Sequence, residues 1–231
     1  MSRIYTESTC LQKIHDAYLN GNVCRLYDEK FIKSWNGVTS DSGREYQEIF
    51  AEFIYFRLID GKLPMVDKCK VETYCEIDRQ DAIRDNEEGV QRDFFFGRRK
   101  LSAEFGIPVW FELQTNDPGQ GKGIDLVYYN ETTLEINIFE LKYRNSTETL
   151  LRAVMEIQTY YQRVDWDKVI QALIKRGKVH SSRVAKINKY ILIDKNSKKI
   201  AAKYMNISNS SSDSYVKKLL DAFKIQVIFY E

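Results

Sequence analysis

The feature that most constrains the fold is a pair of apolar segments joined by a short polar turn, over residues 123–144. The first segment reads Gly-Ile-Asp-Leu-Val-Tyr-Tyr, and the second reads Leu-Glu-Ile-Asn-Ile-Phe-Glu-Leu-Lys-Tyr-Arg, with Asn-Glu-Thr-Thr between them. Two strand-forming runs on either side of a polar turn are typical of a β-hairpin. Because both segments are rich in Ile, Leu, Val, Phe and Tyr, we expect them at the centre of a sheet with both faces covered.

The predicted hairpin carries three charged side chains on one face. With the turn at residues 130–133, the register places Asp125 diagonal to Glu140. Because strand side chains alternate between faces, Asp125, Glu140 and Lys142 then project from the same side. Diagonal neighbours lie about 7–8 Å apart at the backbone, within reach of one ion held between two carboxylates. Charges in such strands are costly to bury unless they are paired or bind a metal. The alternative is an exposed Glu140–Lys142 ion pair at a strand end.

This arrangement predicts a metal-dependent phosphodiesterase. Carboxylate oxygens suit Mg²⁺ or Mn²⁺, and such an ion lowers the pKa of a bound water that then attacks the phosphodiester. Lys142 is expected to orient or deprotonate that water, or to stabilise the charge that develops on the phosphoryl oxygens. The main-chain carbonyl of Leu141 is expected as a further ligand, since the strand passes the ion at that point.

The sequence Ile124-Asp125 followed by Glu140-Leu141-Lys142 resembles the motif of the PD-(D/E)XK nuclease superfamily, whose fold is restriction-endonuclease-like. The resemblance covers about residues 86–194, and Ile124 stands where many members have proline. It implies an α/β fold with a mixed central sheet flanked by helices, in the core order α-β-β-β-α-β.

The chain supplies a candidate for every element of that order. Asn86 or Asp85 is expected to cap the first helix. We expect a mainly helical N-terminal region at 1–85, on or beside a nuclease core with a helix-strand C-terminal extension at 86–231. The expected elements are helices at 45–59, 86–105, 147–164 and 214–223, strands at 109–114, 123–129, 134–144, 187–193 and 225–230, and a flexible polar loop at 206–213.

The resemblance also implies supporting residues. Members often carry a glutamate on the first core helix; Glu88 is the first candidate, Glu87 the alternative, and Glu48 a rival on an earlier helix. First-turn glutamates are also favoured by the helix dipole alone. A glutamine that members direct at the site from the next helix corresponds to Gln158. Glu112 is either a ligand in place of Glu88 or an edge residue that faces water.

Composition limits how nucleic acid can be bound. The net charge of +2 excludes a globally basic surface, so phosphate contacts must come from local clusters. Scattered basic residues are also typical of an ordinary exposed surface. The candidates are Arg98, Arg99, Arg144, the basic stretch 175–189, and Lys122 in the glycine-rich loop 115–122.

Cysteine and histidine usage excludes two other kinds of site. The four cysteines show no Cys-x-x-Cys spacing, and with only two histidines they do not compose a zinc site. No Ser/His/Asp arrangement is apparent. We find no signal peptide and no apolar run long enough to span a bilayer, so a cytoplasmic location is expected.

The combined prediction is a Mg²⁺- or Mn²⁺-dependent nuclease in which Asp125 and Glu140 hold the ion and Lys142 activates water. Double-stranded DNA is the expected substrate, and restriction, another form of defence, or repair is the expected setting. RNA and exonuclease action stay open. A homodimer is expected because cutting both strands with one site per chain takes two chains. The alternatives are a non-catalytic nucleic-acid-binding protein of the same fold, and an α/β protein with no nucleic-acid role.

Overall fold

The structure is a computed structural model that describes residues 6–19, 38–61, 85–114, 123–209 and 213–231. Lys122 and the loop 115–122 lie outside the described residues. None of the helices in the described ranges is long and apolar enough to cross a bilayer.

A five-stranded mixed sheet forms the centre of the fold, and its strands lie side by side in chain order. The first three strands are antiparallel, and the last three are parallel. The predicted α/β class with a mixed sheet is therefore confirmed, and the C-terminal strand extends the sheet at one edge as expected. The strands are β1 (Ile107–Gln114), β2 (Gly123–Asn130), β3 (Glu135–Lys142), β4 (Lys186–Asp194) and β5 (Ile225–Tyr230).

Seven α-helices accompany the sheet within the described ranges. Four of them begin where a side chain accepts a hydrogen bond from a first-turn backbone N–H, which satisfies a donor that the helix itself cannot. These caps are Asn86, Thr149, Asp165 and Ser214. The helices are α1 (Glu7–Leu19), α2 (Tyr46–Ile59), α3 (Glu87–Phe95), α4 (Leu150–Arg163), α5 (Trp166–Lys175), α6 (Ile200–Asn209) and α7 (Tyr215–Phe223).

The alternation of strand side chains divides the apolar core into two layers. On one face, Leu126 and Phe139 belong to a cluster that includes residues of α3. On the other face, Val127 and Ile138 belong to a larger cluster with residues of α1, α2, α4 and α7. Burial on both faces of β2 and β3 matches the expectation from their apolar composition.

Two elements differ from the prediction. Helix α3 ends at Phe95, well before residue 105, because Gly97 adopts a φ of 75° that terminates the helix. Residues 206–209 belong to α6, so a loop beginning at 206 is wrong. Ile200 and Ile207 lie two helical turns apart on one face and are both buried, which accounts for the helix.

The register of the hairpin also differs from the prediction. Asn130 pairs with Glu135, so the turn occupies 131–134 and the register shifts by two residues. The side-chain oxygen of Asn130 accepts hydrogen bonds from the backbone N–H groups of Thr132 and Thr133, which fixes Asn130 as the last residue of the strand. A shift of two keeps every side chain on its predicted face. Continued along the strands, the register places Asp125 directly across from Glu140 rather than diagonal to it.

Gly106 offers a test of how closely β1 approaches the hairpin. Its φ is 86°, and a Cβ at this position would lie 2.0 Å from the carbonyl oxygen of Tyr129. A residue other than glycine costs roughly 1–2 kcal/mol in the left-handed backbone conformation. We expect Gly106→Ala to lower the free energy of unfolding by more than this amount, because of the additional clash with Tyr129. Gly177→Ala is the matched control, because its φ is 66° and nothing lies within 4 Å. Equal losses in urea-induced unfolding of the two variants would contradict the close approach.

Candidate active site

A cleft of about 540 Å³ opens at the end of the sheet where β2 begins and β3 ends. Helix α3 closes one side and α4 closes the other. Its lining is dominated by carboxylates, so a cation rather than an anion is its natural ligand. The charged residues that line it are Glu87, Glu88, Glu112, Asp125, Glu140, Lys142, Glu148, Arg152 and Glu156.

Asp125 is held by two hydrogen bonds. The side-chain nitrogen of Gln91 donates to Oδ1 at 2.7 Å, and the backbone N–H of Leu141 donates to Oδ2 at 2.5 Å. The second bond exists because the register brings β3 directly across from Asp125. Burial raises the pKa of Asp125 well above its usual range, and the nearby charge of Glu87 raises it further. The charge of Lys142 favours ionised Asp125 but does not offset the effect of burial, and Asp125 has no ion pair with a cation among the described residues.

Glu140 lies beside Asp125 and is equally enclosed, with only 4% of the residue exposed. Its Oε1 accepts a hydrogen bond from Lys142, but no donor among the described residues reaches its buried Oε2. Burial raises the pKa of Glu140 well above its usual range, and the charge of Asp125 adds to that effect. An unpartnered carboxylate oxygen beside a second carboxylate is an arrangement that a divalent cation would satisfy.

Lys142 is the positive centre of the cleft. Its Nζ donates to Glu140 at 2.7 Å, to Glu148 at 2.7 Å and to Glu156 at 3.0 Å. Burial alone would lower the pKa of Lys142, but these carboxylates more than offset burial and raise the pKa well above its usual range. Lys142 is therefore an ammonium group, which suits it to orient water or stabilise negative charge and not to abstract a proton.

Helix α4 and the residues that precede it present a charged stripe to Lys142. The guanidinium of Arg152 lies 2.9 Å from a carboxylate oxygen of Glu148 and 2.9 Å from one of Glu156. Burial would raise the pKa of Glu156, but Lys142 and Arg152 lower it to about 2. These three residues were not predicted. Their signal in the sequence is a spacing of four, which aligns side chains along one helix face.

Gln158 is not brought to this site. Its Oε1 accepts a hydrogen bond from Lys189 Nζ at 2.7 Å, outside the cleft. Two residues along an α-helix correspond to a rotation of about 200°, so Gln158 projects away from the side on which Glu156 lies. The face that α4 turns to the cleft is the one that carries Arg152 and Glu156.

The glutamates of α3 occupy different parts of the cleft. Glu87 accepts a backbone hydrogen bond from Tyr143 and interacts with the charge of Lys142. Burial raises the pKa of Glu87. Glu88, the first candidate, lines the same cleft but pairs with Arg92 at 2.5 Å. Glu87, the alternative, is therefore linked electrostatically to the proposed catalytic group, Lys142.

The two remaining glutamate candidates have separate positions. Glu112 lines the cleft. Burial raises the pKa of Glu112, and the charge of Glu88 makes a smaller contribution in the same direction. Glu48 belongs to α2, and its side chain reaches the start of α7. There it accepts hydrogen bonds from the hydroxyl of Ser214 and the backbone N–H of Tyr215. Glu48 therefore has a structural role in joining α2 to α7 and does not reach the cleft.

The arginines proposed to contact nucleic acid do not line the cleft. Arg98 and Arg99 both interact with Asp93, at 2.6 and 3.7 Å. Arg144 pairs with Asp85. Each of these cations is thus partly neutralised by a local carboxylate, and the described structure gives none of them a place next to Lys142.

The donor set nevertheless fits a carboxylate-bound cation. Burial and then mutual repulsion of the carboxylates raise the pKa values of Asp125 and Glu140 despite Lys142, and Oε2 of Glu140 accepts no hydrogen bond among the described residues, so a further cation would stabilise both groups. In the described ranges, no three Asp, Glu, His or Cys side chains already surround a common point as metal ligands. The position of Lys142 explains why these side chains do not yet surround a common point. Its ammonium group occupies the space between the carboxylates of Glu140 and Glu156.

The predicted residues Asp125, Glu140 and Lys142 are thus together in one cleft, and Leu141 adds a hydrogen bond to Asp125. No family model matches the chain, and comparisons with curated proteins and with solved structures give no match. Functional inference therefore depends on the geometry of the cleft.

The charge environment of Lys142 predicts a contrast between two buried lysines. Lys142 has three carboxylate partners, whereas Lys189, on the next strand, has none among the described residues. Removing one partner of a buried ion pair costs about 3–5 kcal/mol. We expect Lys142→Met to lower the free energy of unfolding by about that amount, and Lys189→Met to change it by less than about 1 kcal/mol. Chemical denaturation at neutral pH provides the measurement, and equal effects would contradict the predicted contrast.

The raised pKa values predict how stability depends on pH without metal. The folded state holds protons on Asp125 and Glu140 above their ordinary pKa values of 3.8 and 4.5. The free energy of unfolding should therefore fall as pH rises from about 4 through their folded pKa values. Glu156 affects stability at lower pH. Its stabilising contribution is lost as the pH falls from 4.5 towards about 2.

Asp125→Asn tests this pH dependence. It keeps the shape of the side chain and removes one of the two raised groups. Its oxygen can still accept from Leu141, and its amide can donate to Gln91 once the Gln91 amide is turned. We expect a shallower decline of the free energy of unfolding between pH 4.5 and 8, measured by denaturation in EDTA. An unchanged slope would show that Asp125 ionises normally.

Proposed function

We propose that the protein is a metal-dependent nuclease that hydrolyses phosphodiester bonds, with DNA as its substrate. The observation that carries the proposal is the buried, unpartnered oxygen of Glu140, which lies beside Asp125 and next to the ammonium group of Lys142. Two adjacent buried carboxylates, one of them with an oxygen that accepts no hydrogen bond, and one fixed ammonium group are components that metal-assisted phosphoryl transfer requires.

The topology supports the same proposal. Helix α3 precedes three antiparallel strands, and α4 followed by the additional helix α5 lies between the third of them and the parallel strand β4. This order resembles the α-β-β-β-α-β core of the PD-(D/E)XK superfamily. The two carboxylates and the lysine lie on the second and third strands of that order. We therefore propose a restriction-endonuclease-like fold with the catalytic cleft at the end of these strands.

Each residue of the cleft then has a defined task. Asp125 and Glu140, with the carbonyl of Leu141 and the nearby Glu87, would hold Mg²⁺ or Mn²⁺. The bound ion supplies Lewis acidity and a water molecule of lowered pKa. Lys142 would donate a hydrogen bond to that water or to the phosphoryl oxygens, and so stabilise the negative charge that develops on them.

Helix α4 keeps Lys142 charged and in position. Glu148 and Glu156 accept its hydrogen bonds, and Arg152 links the two glutamates. If Glu140 bound a cation, Lys142 would keep its two other carboxylate partners, Glu148 and Glu156. The lysine would then remain protonated and act as an electrostatic catalyst.

The biological setting is proposed from the resemblance to the PD-(D/E)XK superfamily alone. Restriction, another form of defence against foreign DNA, and repair each require a nuclease of this kind. The described residues form one such cleft per chain. Cleavage of both strands of a duplex therefore requires a homodimer or two successive events.

Cleavage assays test the proposed function. Supercoiled, linear and single-stranded DNA are incubated with Mg²⁺ or Mn²⁺, and wild type is compared with Asp125→Asn and Glu140→Gln. We expect both variants to lose more than about 100-fold in rate, the loss typical of removing one preorganised catalytic group. Glu131→Gln is the matched control, because Glu131 lies in the exposed hairpin turn. Wild-type protein that binds DNA in EDTA but never cuts it would favour the non-catalytic alternative.

The two glutamates of α3 provide a sharper prediction. Glu87 interacts with the charges of the catalytic cluster, whereas Glu88 pairs with Arg92. We expect Glu87→Gln to raise the Mg²⁺ concentration required for half-maximal cleavage by about tenfold, as expected for a supporting group at a metal site. Glu88→Gln should leave that concentration within about threefold of wild type. A larger effect of Glu88→Gln would restore Glu88 as the supporting residue.

A further inference from the structure

A second pocket, of about 580 Å³, lies between β4, the start of β5 and the end of α7. Three lysines line it: Lys189 and Lys224, whose charges interact, and Lys186 at the first residue of β4, which projects from the other face of the sheet at its rim. None of the three has a carboxylate within ion-pair distance in the part of the chain that the structure describes. The pocket contains one carboxylate, Asp221, which lies 3.6 Å from Nζ of Lys217. Unlike the acidic cleft, this pocket therefore has an excess of positive charge.

Lys189 is the most constrained of the three lysines. Only 8% of the residue is exposed, its Nζ donates to Gln158 at 2.7 Å, and the same nitrogen lies 4.5 Å from the ring centroid of Tyr161. Burial lowers the pKa of Lys189 to about 8, and the charge of Lys224 contributes. The fold thus fixes a buried lysine in position without supplying the anion that would stabilise its charge.

The pocket is separate from the cleft. Lys189 pairs across the parallel strands with Ile138, four residues before Lys142. Four strand residues span roughly 13 Å. Lys189 and Lys142 nevertheless point to the same face of the sheet, the face that α4 covers.

We propose that this three-lysine pocket binds a phosphoryl oxyanion, presented either by a free polyphosphate or by the backbone of a nucleic acid. Lysine ammonium groups bind phosphate as point charges. Gln226, at the start of β5, also lines the pocket, whereas the side-chain amide of Asn188 donates to Asn137 instead. The volume is within the range of small-ligand sites. The proposal does not depend on catalysis in the cleft.

The test uses two probes in EDTA, so that no cleavage occurs. Tripolyphosphate binding is followed by calorimetry, and binding of a fluorescent single-stranded DNA is followed by anisotropy. The informative variant is Lys186→Gln/Lys224→Gln, because both side chains are exposed and neither is needed for the core. The matched control is Lys198→Gln/Lys199→Gln, which removes the same charge from exposed positions outside the pocket.

We expect the pocket variant to lose at least tenfold in affinity for one or both probes, and the control to stay within threefold of wild type. Loss for tripolyphosphate alone identifies a free phosphate ligand, and loss for DNA identifies the nucleic-acid backbone. Absence of binding by wild type, or equal losses in the two double variants, would overturn the proposal.

Proton uptake tests whether the anion reaches Lys189. The groups that face this lysine are Gln158 and Tyr161 from α4, and Lys224 and Asp221 at the end of α7. An anion at Lys189 raises its pKa above about 8, so binding at pH 8.5 should take up protons. The calorimetric heat then depends on the ionisation enthalpy of the buffer, and this dependence should vanish in Lys189→Met. Binding without proton uptake would contradict the placement of the anion beside Lys189.

Discussion

The buried ammonium group of Lys142 is the interaction on which the rest of the site depends. Three carboxylates converge on it at 2.7 to 3.0 Å: Glu140 from β3, Glu148 just before α4, and Glu156 from α4 itself. This convergence fixes how α4 lies across the sheet and keeps the lysine charged. It also leaves an imbalance, because Glu140 shares the lysine with Glu148 and Glu156, while Asp125 has no ion pair with a cation among the described residues. The acidic excess is the physical basis of the proposed metal site.

The sheet uses buried lysines in two opposite ways. Lys142 has more carboxylates than one charge can balance, whereas the partners of Lys189 among the described residues are the amide of Gln158 and the ring of Tyr161. The first arrangement favours a cation and the second favours an anion. Both lie under α4, so one helix organises a site for each sign of charge.

The sequence predicts the central strands and the three charged residues on them. The prediction succeeds because side chains alternate between the two faces of a strand, so spacing alone assigns each residue to a face. It places Asp125, Glu140 and Lys142 on one face even though the register is off by two residues. The exact register depends on hydrogen bonds from the turn to Asn130, which strand patterns do not encode. The contribution of α4 was missed for a related reason: the rotation of a helix about its axis is decided by tertiary packing, which turned Gln158 away from the cleft.

The most direct test is a crystal structure of the protein soaked in Mn²⁺, with anomalous scattering used to locate the ion. The account predicts one Mn²⁺ coordinated by the carboxylates of Asp125 and Glu140, with Lys142 still bound to Glu148 and Glu156. No anomalous peak in the cleft at saturating Mn²⁺, with Asp125 still accepting hydrogen bonds from Gln91 and Leu141, would contradict it.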